Sequence, residues 1–242
     1  MISVSLMLFD LDGTLIDSRA DLARSINLML TDLGRPPLAE ATVGGFVGDG
    51  VRVLVYRSLT ATDLHHQPPD DELHTKGIAL MHEHYAGEML KSTEIYPGVR
   101  ETLDYFKSKR KAVVTSKEVR FTKIILEHFG IADRFDAIVG GDTTPARKPD
   151  PRPVIEAVRL LTGPIVSRQL DQPPLIEALG FIKDLAAEAV MVGDSENDIN
   201  AGRGAGTRTC AVTFGFRTAE QLRLSEPDVI IDRFEQLTEN YC

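Results

Sequence analysis

The chain is poor in cysteine. Cys210 and Cys242 are the only two, one inside an apolar run and one at the terminus, which excludes a disulfide framework and a Cys-based zinc site. Long basic runs are missing too, and 36 Asp and Glu against 27 Lys and Arg give a formal net charge of -9. That balance argues against a nucleic-acid groove or an anionic membrane surface as partner. The opening apolar run stops at Asp10 and has no basic segment before it, so neither a signal peptide nor a membrane span can be written there. The expectation is a cytoplasmic protein with a small-molecule partner. An anionic ligand would need local positive charge from a cation or from a few lysines and arginines. The 242 residues, 43% apolar and 26% charged, suit one large or two modest globular domains.

What the chain does have is concentrated first in residues 6–18. The apolar run from Val4 to Phe9, broken only by Ser5, has the pattern of a strand buried on both faces, and it ends abruptly in Asp10, Asp12, Gly13 and Thr14. Carboxylates so placed sit at the carboxyl end of a core strand, the edge where open α/β sheets bind ligands. Residues i and i+2 of an extended chain point to the same side, so Asp10 and Asp12 can face one small volume, where they repel. Either one acid keeps its proton or a cation sits between them. Asp12-Gly13 also suits an ordinary turn, and Thr14 a helix cap.

Beyond Ser18 the periodicity becomes helical. Leu22, Ile26, Met29, Leu30 and Leu33 recur at three- and four-residue steps up to Gly34, and further helical patterns cover 51–59 and 72–90. No strand-like run interrupts residues 17–94, which predicts a small all-helical domain. From Tyr96-Pro97-Gly98 onward strands and helices alternate: helices over 99–109 and 118–129, strands over 111–115, 137–139, 189–193, 210–213 and 229–231. Such alternation predicts a parallel sheet covered on both faces, to which residues 6–9 must belong. The expected architecture is an α/β, doubly wound, Rossmann-like core over 1–16 and 96–242. A helical cap over 17–95 is inserted after the first strand and able to move as a lid. One internal repeat, Pro153-Val-Ile-Glu-Ala-Val against Pro174-Leu-Ile-Glu-Ala-Leu, predicts an extra helix or helical turn, with Gly163-Pro164 and Pro173-Pro174 breaking the chain between the copies. It reads as a surface elaboration or a dimer contact.

Several of these strands end in groups that could complete a site. Thr115-Ser116-Lys117 places two hydroxyls at a helix start, where backbone N–H groups favour an anion. Lys148 lies among prolines in Arg147-Lys148-Pro149-Asp150-Pro151, suited to a fixed cation. The strand over 189–193 runs into Asp194-Ser195-Glu196-Asn197-Asp198, repeating the opening pattern. Taken singly, Asp194-Ser195 is also an ordinary helix cap. Core packing alone does not require four strands to deliver an acid, a hydroxyl or a lysine at one edge. The histidines offer no rival centre, since His82 and His84 are two apart on a helix and His65-His66 lies near turn residues.

Assembled in order, Asp10-Leu-Asp12-Gly13-Thr14, Thr115, Lys148-Pro149 and Gly193-Asp194 to Asp198 resemble the haloacid-dehalogenase-like phosphohydrolase superfamily over nearly the whole chain. Within it, residues 46–55 are similar to the cap segment of phosphoglycolate phosphatases. Ser116 departs from their usual asparagine, and the repeat lengthens the segment after Lys148. The resemblance implies a Mg2+-dependent phosphatase acting on a small phosphorylated metabolite, with 2-phosphoglycolate the first candidate. It implies Asp10 as nucleophile forming an aspartyl phosphate and Asp12 as general acid and base. Thr115, Ser116 and Lys148 would hold the phosphoryl oxygens. Mg2+ would be bound by the Asp10 and Asp194 side chains and the Asp12 carbonyl, with Asp198 orienting its neighbours. Arg52 is the cap residue suited to contact a substrate carboxylate, or it is an exposed arginine without a role. A sugar phosphomutase, a pyrophosphatase, and a non-enzymatic phosphate-accepting module with an Asp, a hydroxyl residue and a Lys are the competing readings.

Overall fold

Leu6, Met7, Leu8 and Phe9 are all buried and form strand β1 (Leu6–Phe9). Because successive side chains of a strand point to opposite faces, Leu6 and Leu8 join a cluster with Ala112, Val114, Val154, Val158, Leu161 and Met191. Phe9 instead stacks 5.9 Å from Phe234 and meets the ring of Phe135 edge-on at 6.2 Å. The strand is thus apolar on both faces because both faces are covered. The computed structural model describes residues 1–169 and 184–242, in two compact units: Met1–Leu15 with Ile95–Cys242, and Ile16–Glu94.

Chain order after β1 is β2 (Ile16–Asp17), then α1 (Arg19–Asp32), α2 (Glu40–Phe46), α3 (Val51–Ala61) and α4 (Asp71–Glu88), then β3 (Glu94–Ile95). β2 and β3 form a separate two-stranded sheet. There follow α5 (Val99–Tyr105), β4 (Arg110–Val114), α6 (Val119–His128), β5 (Ala137–Val139), α7 (Arg152–Gln169), β6 (Ala189–Gly193), α8 (Glu196–Ala205), β7 (Arg208–Val212), α9 (Ala219–Leu224), β8 (Val229–Ile231) and α10 (Leu237–Asn240). The large sheet is parallel throughout, in the order β5-β4-β1-β6-β7-β8. Numbered along the core alone this is 3-2-1-4-5-6, the doubly wound order, with its switch point between β1 and β6.

Register then sets what can meet. Leu8 is level with Ala112 and Met191, and Phe9 with Val113 and Val192. Asp10, one residue past β1, is therefore level with Val114 and Gly193, and its amide continues the ladder to the Val192 carbonyl at 2.9 Å. Thr115 and Asp194 come one residue later.

Two expectations are corrected, and one helix was not expected. The helix expected over 99–109 stops at Tyr105, because Phe106 is the last buried apolar side chain before Lys107-Ser108-Lys109, and turn bonds from Lys107 and Lys109 lead into β4. Gly163-Pro164 does not break the chain, since α7 runs through it to Gln169. Val154, Val158 and Leu161 anchor that helix in the core, and Arg110 donates to the Leu161 carbonyl. The helix not expected is α2, which carries no apolar periodicity strong enough to have been read. The second copy of the repeat lies outside the described residues.

In the helical unit, α1 buries Leu22, Ala23, Ile26, Met29 and Leu30 along one stripe. The same helix carries a buried carboxylate. Asp21 accepts from the Ser92 amide at 3.0 Å, the Thr93 amide at 2.8 Å and the Thr93 hydroxyl at 2.7 Å, and pairs with Arg24 at 2.9 Å. Burial works against its charge, but these donors together hold the carboxyl below its ordinary value. A depressed folded-state value means that its stabilisation is complete above the unfolded value of about 3.9 and is lost as pH falls through the lower folded one. Asp21→Ala, which strands three donors, should cost about 3 kcal/mol at pH 7 in urea unfolding. The difference from wild type should narrow below about pH 4; a difference independent of pH would show that the carboxylate's charge is not what ties α1 to residues 92–93.

Candidate active site

The carboxyl edge of the large sheet gathers its polar groups around one ammonium. Lys148 Nζ donates to Asp10 Oδ1 at 2.8 Å, to Asp198 Oδ1 at 2.6 Å and to the Val114 carbonyl at 2.7 Å. A lysine has three donors, so all three are satisfied, and the side chain is only 2% exposed. Burial works against its charge. The carboxylates of Asp10 and Asp198 outweigh that and hold the ammonium well above its ordinary value.

Asp198 is fully buried and fully occupied. Its Oδ2 accepts from the Ser195 amide at 3.0 Å and the Ser195 hydroxyl at 2.6 Å, which closes the capping box of α8, while Oδ1 is taken by Lys148. Gly193 is where β6 passes this carboxylate, and a Cβ there would lie 2.2 Å from the Asp198 Cγ.

Asp194 is held from the other side of the switch point. Its Oδ2 accepts from the Phe216 amide at 2.7 Å and its Oδ1 lies 3.5 Å from the Thr14 hydroxyl. Two glycines make room for it. A Cβ on Gly13, whose φ is +86°, would stand 2.2 Å from Asp194 Oδ2, and one on Gly215 would stand 2.3 Å from Asp194 Cβ and 2.4 Å from the Gly13 carbonyl. The turn after β1, the turn after β6 and the turn after β7 are in backbone-to-side-chain contact at this point.

Oxygens of Asp10, Asp194 and Asp198 lie within 4.8 Å of one another. Three carboxylates face one ammonium, and the pKa shifts follow. Burial raises Asp10 to about 7, with Lys148 opposing and Asp198 and Asp12 adding to the rise. Asp194 is raised well above the ordinary carboxylate range by burial, then by Asp198 and Asp10. Hard oxygen donors with an excess of negative charge fit a small divalent cation. Asp10, Asp194 and Asp198 each offer one carboxylate oxygen to such a cluster.

Thr115 ends β4 with its amide on the Val139 carbonyl at 2.9 Å, and its hydroxyl accepts from the Lys117 amide at 3.2 Å. The Ser116 hydroxyl is buried with no hydrogen-bond partner among the described residues. The Asp12 carboxylate lies apart from the triad, bonded by Lys117 Nζ at 2.7 Å. The edge thus brings together Asp10, Asp12, Thr115, Ser116, Lys148, Asp194 and Asp198. Arg52 belongs to the helical unit, in the first turn of α3, where its carbonyl bonds the His74 ring at 2.8 Å.

Two contacts at this edge, Lys117 to Asp12 and the Phe216 amide to Asp194, were not foreseeable from the sequence. Lys117 was visible only as one lysine after two hydroxyl residues. The Phe216 amide carried no signal beyond the glycine before it.

The model of haloacid dehalogenase-like hydrolases matches residues 7–212. The phosphoglycolate phosphatase of Pseudomonas putida is 35% identical over 238 residues, covering 96% of this chain and 78% of that protein. The phosphoglycolate phosphatase of Aliivibrio fischeri is 34% identical over 240 residues, covering 97% and 95%. A crystal structure of a predicted phosphoglycolate phosphatase from Haemophilus somnus superimposes with a TM-score of 0.83 at 30% identity, covering 98% of this chain and 97% of that one.

If the carboxylate excess is a cation site, Mg2+ at about 100 times its dissociation constant should raise the melting temperature of the wild type by about 5 °C or more. In Asp194→Asn that shift should disappear. A shift of equal size in the variant would remove Asp194 from the cation's ligands.

Proposed function

The chain belongs to the haloacid dehalogenase-like hydrolase family, and from that membership we propose that it is a Mg2+-dependent phosphatase that hydrolyses 2-phosphoglycolate through an aspartyl phosphate on Asp10. The observation that carries the reading is the placement of Asp10. It lies at the sheet's switch point with its carboxylate hydrogen-bonded to a buried ammonium and the carboxylates of Asp194 and Asp198 beside it.

A phosphate ester repels an attacking carboxylate, so the charge around phosphorus must be offset before attack. Mg2+, held by the Asp10 and Asp194 side chains and the Asp12 carbonyl, would supply part of that offset. Lys148 supplies the rest from a position fixed by three bonds. Thr115 and Ser116 would donate to the phosphoryl oxygens, a role that the buried, unpartnered Ser116 hydroxyl suits.

The Asp10 carboxylate attacks phosphorus, and a P–O bond to Asp10 forms as the bond to the ester oxygen breaks. Asp12 gives its proton to the departing alkoxide, which leaves as the alcohol. Water then attacks the aspartyl phosphate, Asp12 takes its proton, and inorganic phosphate leaves with Asp10 restored. Both steps need Asp10 in line with the ester and Asp12 on the far side of phosphorus.

A panel of phosphate monoesters assayed with Mg2+ and with a chelator tests the reading. The highest kcat/KM is expected for 2-phosphoglycolate, and activity should vanish with the chelator. Asp10→Asn should fold as the wild type by circular dichroism and lose turnover by about 10³-fold or more. Wild-type turnover in that variant would remove the nucleophile.

A further inference from the structure

A second lysine stands at the same edge, and the chemistry above gives it nothing to do. Lys117 Nζ donates to Asp12 Oδ1 at 2.7 Å, with the two side chains 8% and 11% exposed. A lysine on a surface loop would send its head into water along a flexible stem. Here the backbone is fixed around it. The Lys117 amide donates to Thr115 Oγ1 at 3.2 Å, and its carbonyl accepts from the Gly141 amide at 2.8 Å. A Cβ on Gly141 would stand 2.2 Å from the Ser116 carbonyl, so residues 115–117 lie directly against the turn after β5.

Charge supplies the next step. Lys148 has its three donors committed to Asp10, Asp198 and the Val114 carbonyl. A phosphate monoester whose leaving group carries a carboxylate brings roughly three negative charges to an edge already holding Asp10, Asp12, Asp194 and Asp198. The added carboxylate needs a cation of its own. If Asp12 serves the ester oxygen, an ammonium one hydrogen bond from the same carboxyl lies about 5–6 Å from that oxygen, two hydrogen-bond lengths. In a 2-phospho acid the carboxylate carbon is two covalent bonds from the ester oxygen, which brings the carboxylate within reach of that ammonium.

The geometry points to Lys117 as the residue that selects substrates with a carboxylate on the carbon bearing the phosphate ester, an inference that rests on the phosphatase reading above. The ammonium is shared between Asp12 and the substrate carboxylate, so it is a specificity determinant for the leaving group. A neutral leaving group of the same size gains nothing from it.

The test compares 2-phosphoglycolate with ethyl phosphate, which replaces the carboxylate by a methyl group, in wild type, Lys117→Met, Lys117→Gln and Lys117→Arg. Wild type should prefer 2-phosphoglycolate. Lys117→Met should lose about 10- to 100-fold in kcat/KM on that ester, mainly through KM, and change little on ethyl phosphate. Lys117→Gln, which keeps a donor for Asp12 without the charge, should show the same selective loss, and it carries the test if the methionine variant melts well below wild type. Lys117→Arg should retain the preference. Equal losses on both esters would mean that Lys117 serves Asp12 or the loop alone, and no loss on either would mean that it serves neither; both overturn the inference. A wild type that hydrolyses both esters equally overturns it while leaving the phosphatase reading intact. A wild type that hydrolyses no ester in the panel overturns both.

Discussion

The bond from the Lys148 ammonium to Asp10 and Asp198 is the constraint on which the edge of the sheet depends. Three carboxylates bring oxygens within 4.8 Å of one another in a buried volume, and burying charges that repel is expensive unless a counter-charge is fixed among them. Lys148 meets that need with each of its three hydrogens committed, two to carboxylates and one to the Val114 carbonyl at the end of β4. The same ammonium thereby ties the turn after β5, the end of β1 and the start of α8 to one point. Asp198 repeats the economy, since one carboxylate caps a helix through Ser195 and balances the lysine.

Backbone supplies what side chains cannot. Asp194 is packed so closely between the turns at Gly13 and Gly215 that a single added carbon on either would overlap it. The Phe216 amide reaches its carboxylate because residue 215 has no side chain. Parallel register delivers these turns to one level, with Asp10 next to Gly193 and Val114, so the site needs no unusual path of the chain. Its electrostatic imbalance remains in the protein alone: burial raises Asp10 to about 7, and burial, then Asp198 and Asp10, raise Asp194 well above the ordinary carboxylate range.

The helical unit uses a buried acid for a different purpose. Asp21 is surrounded by donors, two amides, a hydroxyl and a guanidinium, and its carboxyl is held low. In the core unit Asp10 and Asp194 are driven the other way, first by burial and then by the acids beside them. A carboxylate with a full complement of donors stabilises a fold, whereas one left short of them favours a cation.

How far the chain could be read without its structure follows from the range of each interaction. The strands over 137–139, 189–193 and 229–231, the helices α1, α3 and α4 and the end of α6 before Gly130 were legible, because apolar periodicity and glycine stops are local. So were the acids and hydroxyls at strand ends, since an apolar run that stops at a polar residue announces its own end. Helix limits at Tyr105 and through Pro164 were not legible, for they depend on what lies against the helix. Pairings were hidden as well. Lys148 meets Asp10 across 138 residues and Lys117 meets Asp12 across 105. Which lysine reaches which acid is decided by strand order and turn packing. Sequence alone determined which chemical groups the sheet would present; tertiary structure decided their partners, because a charge is assigned by distance in space and distance along the chain says nothing about it.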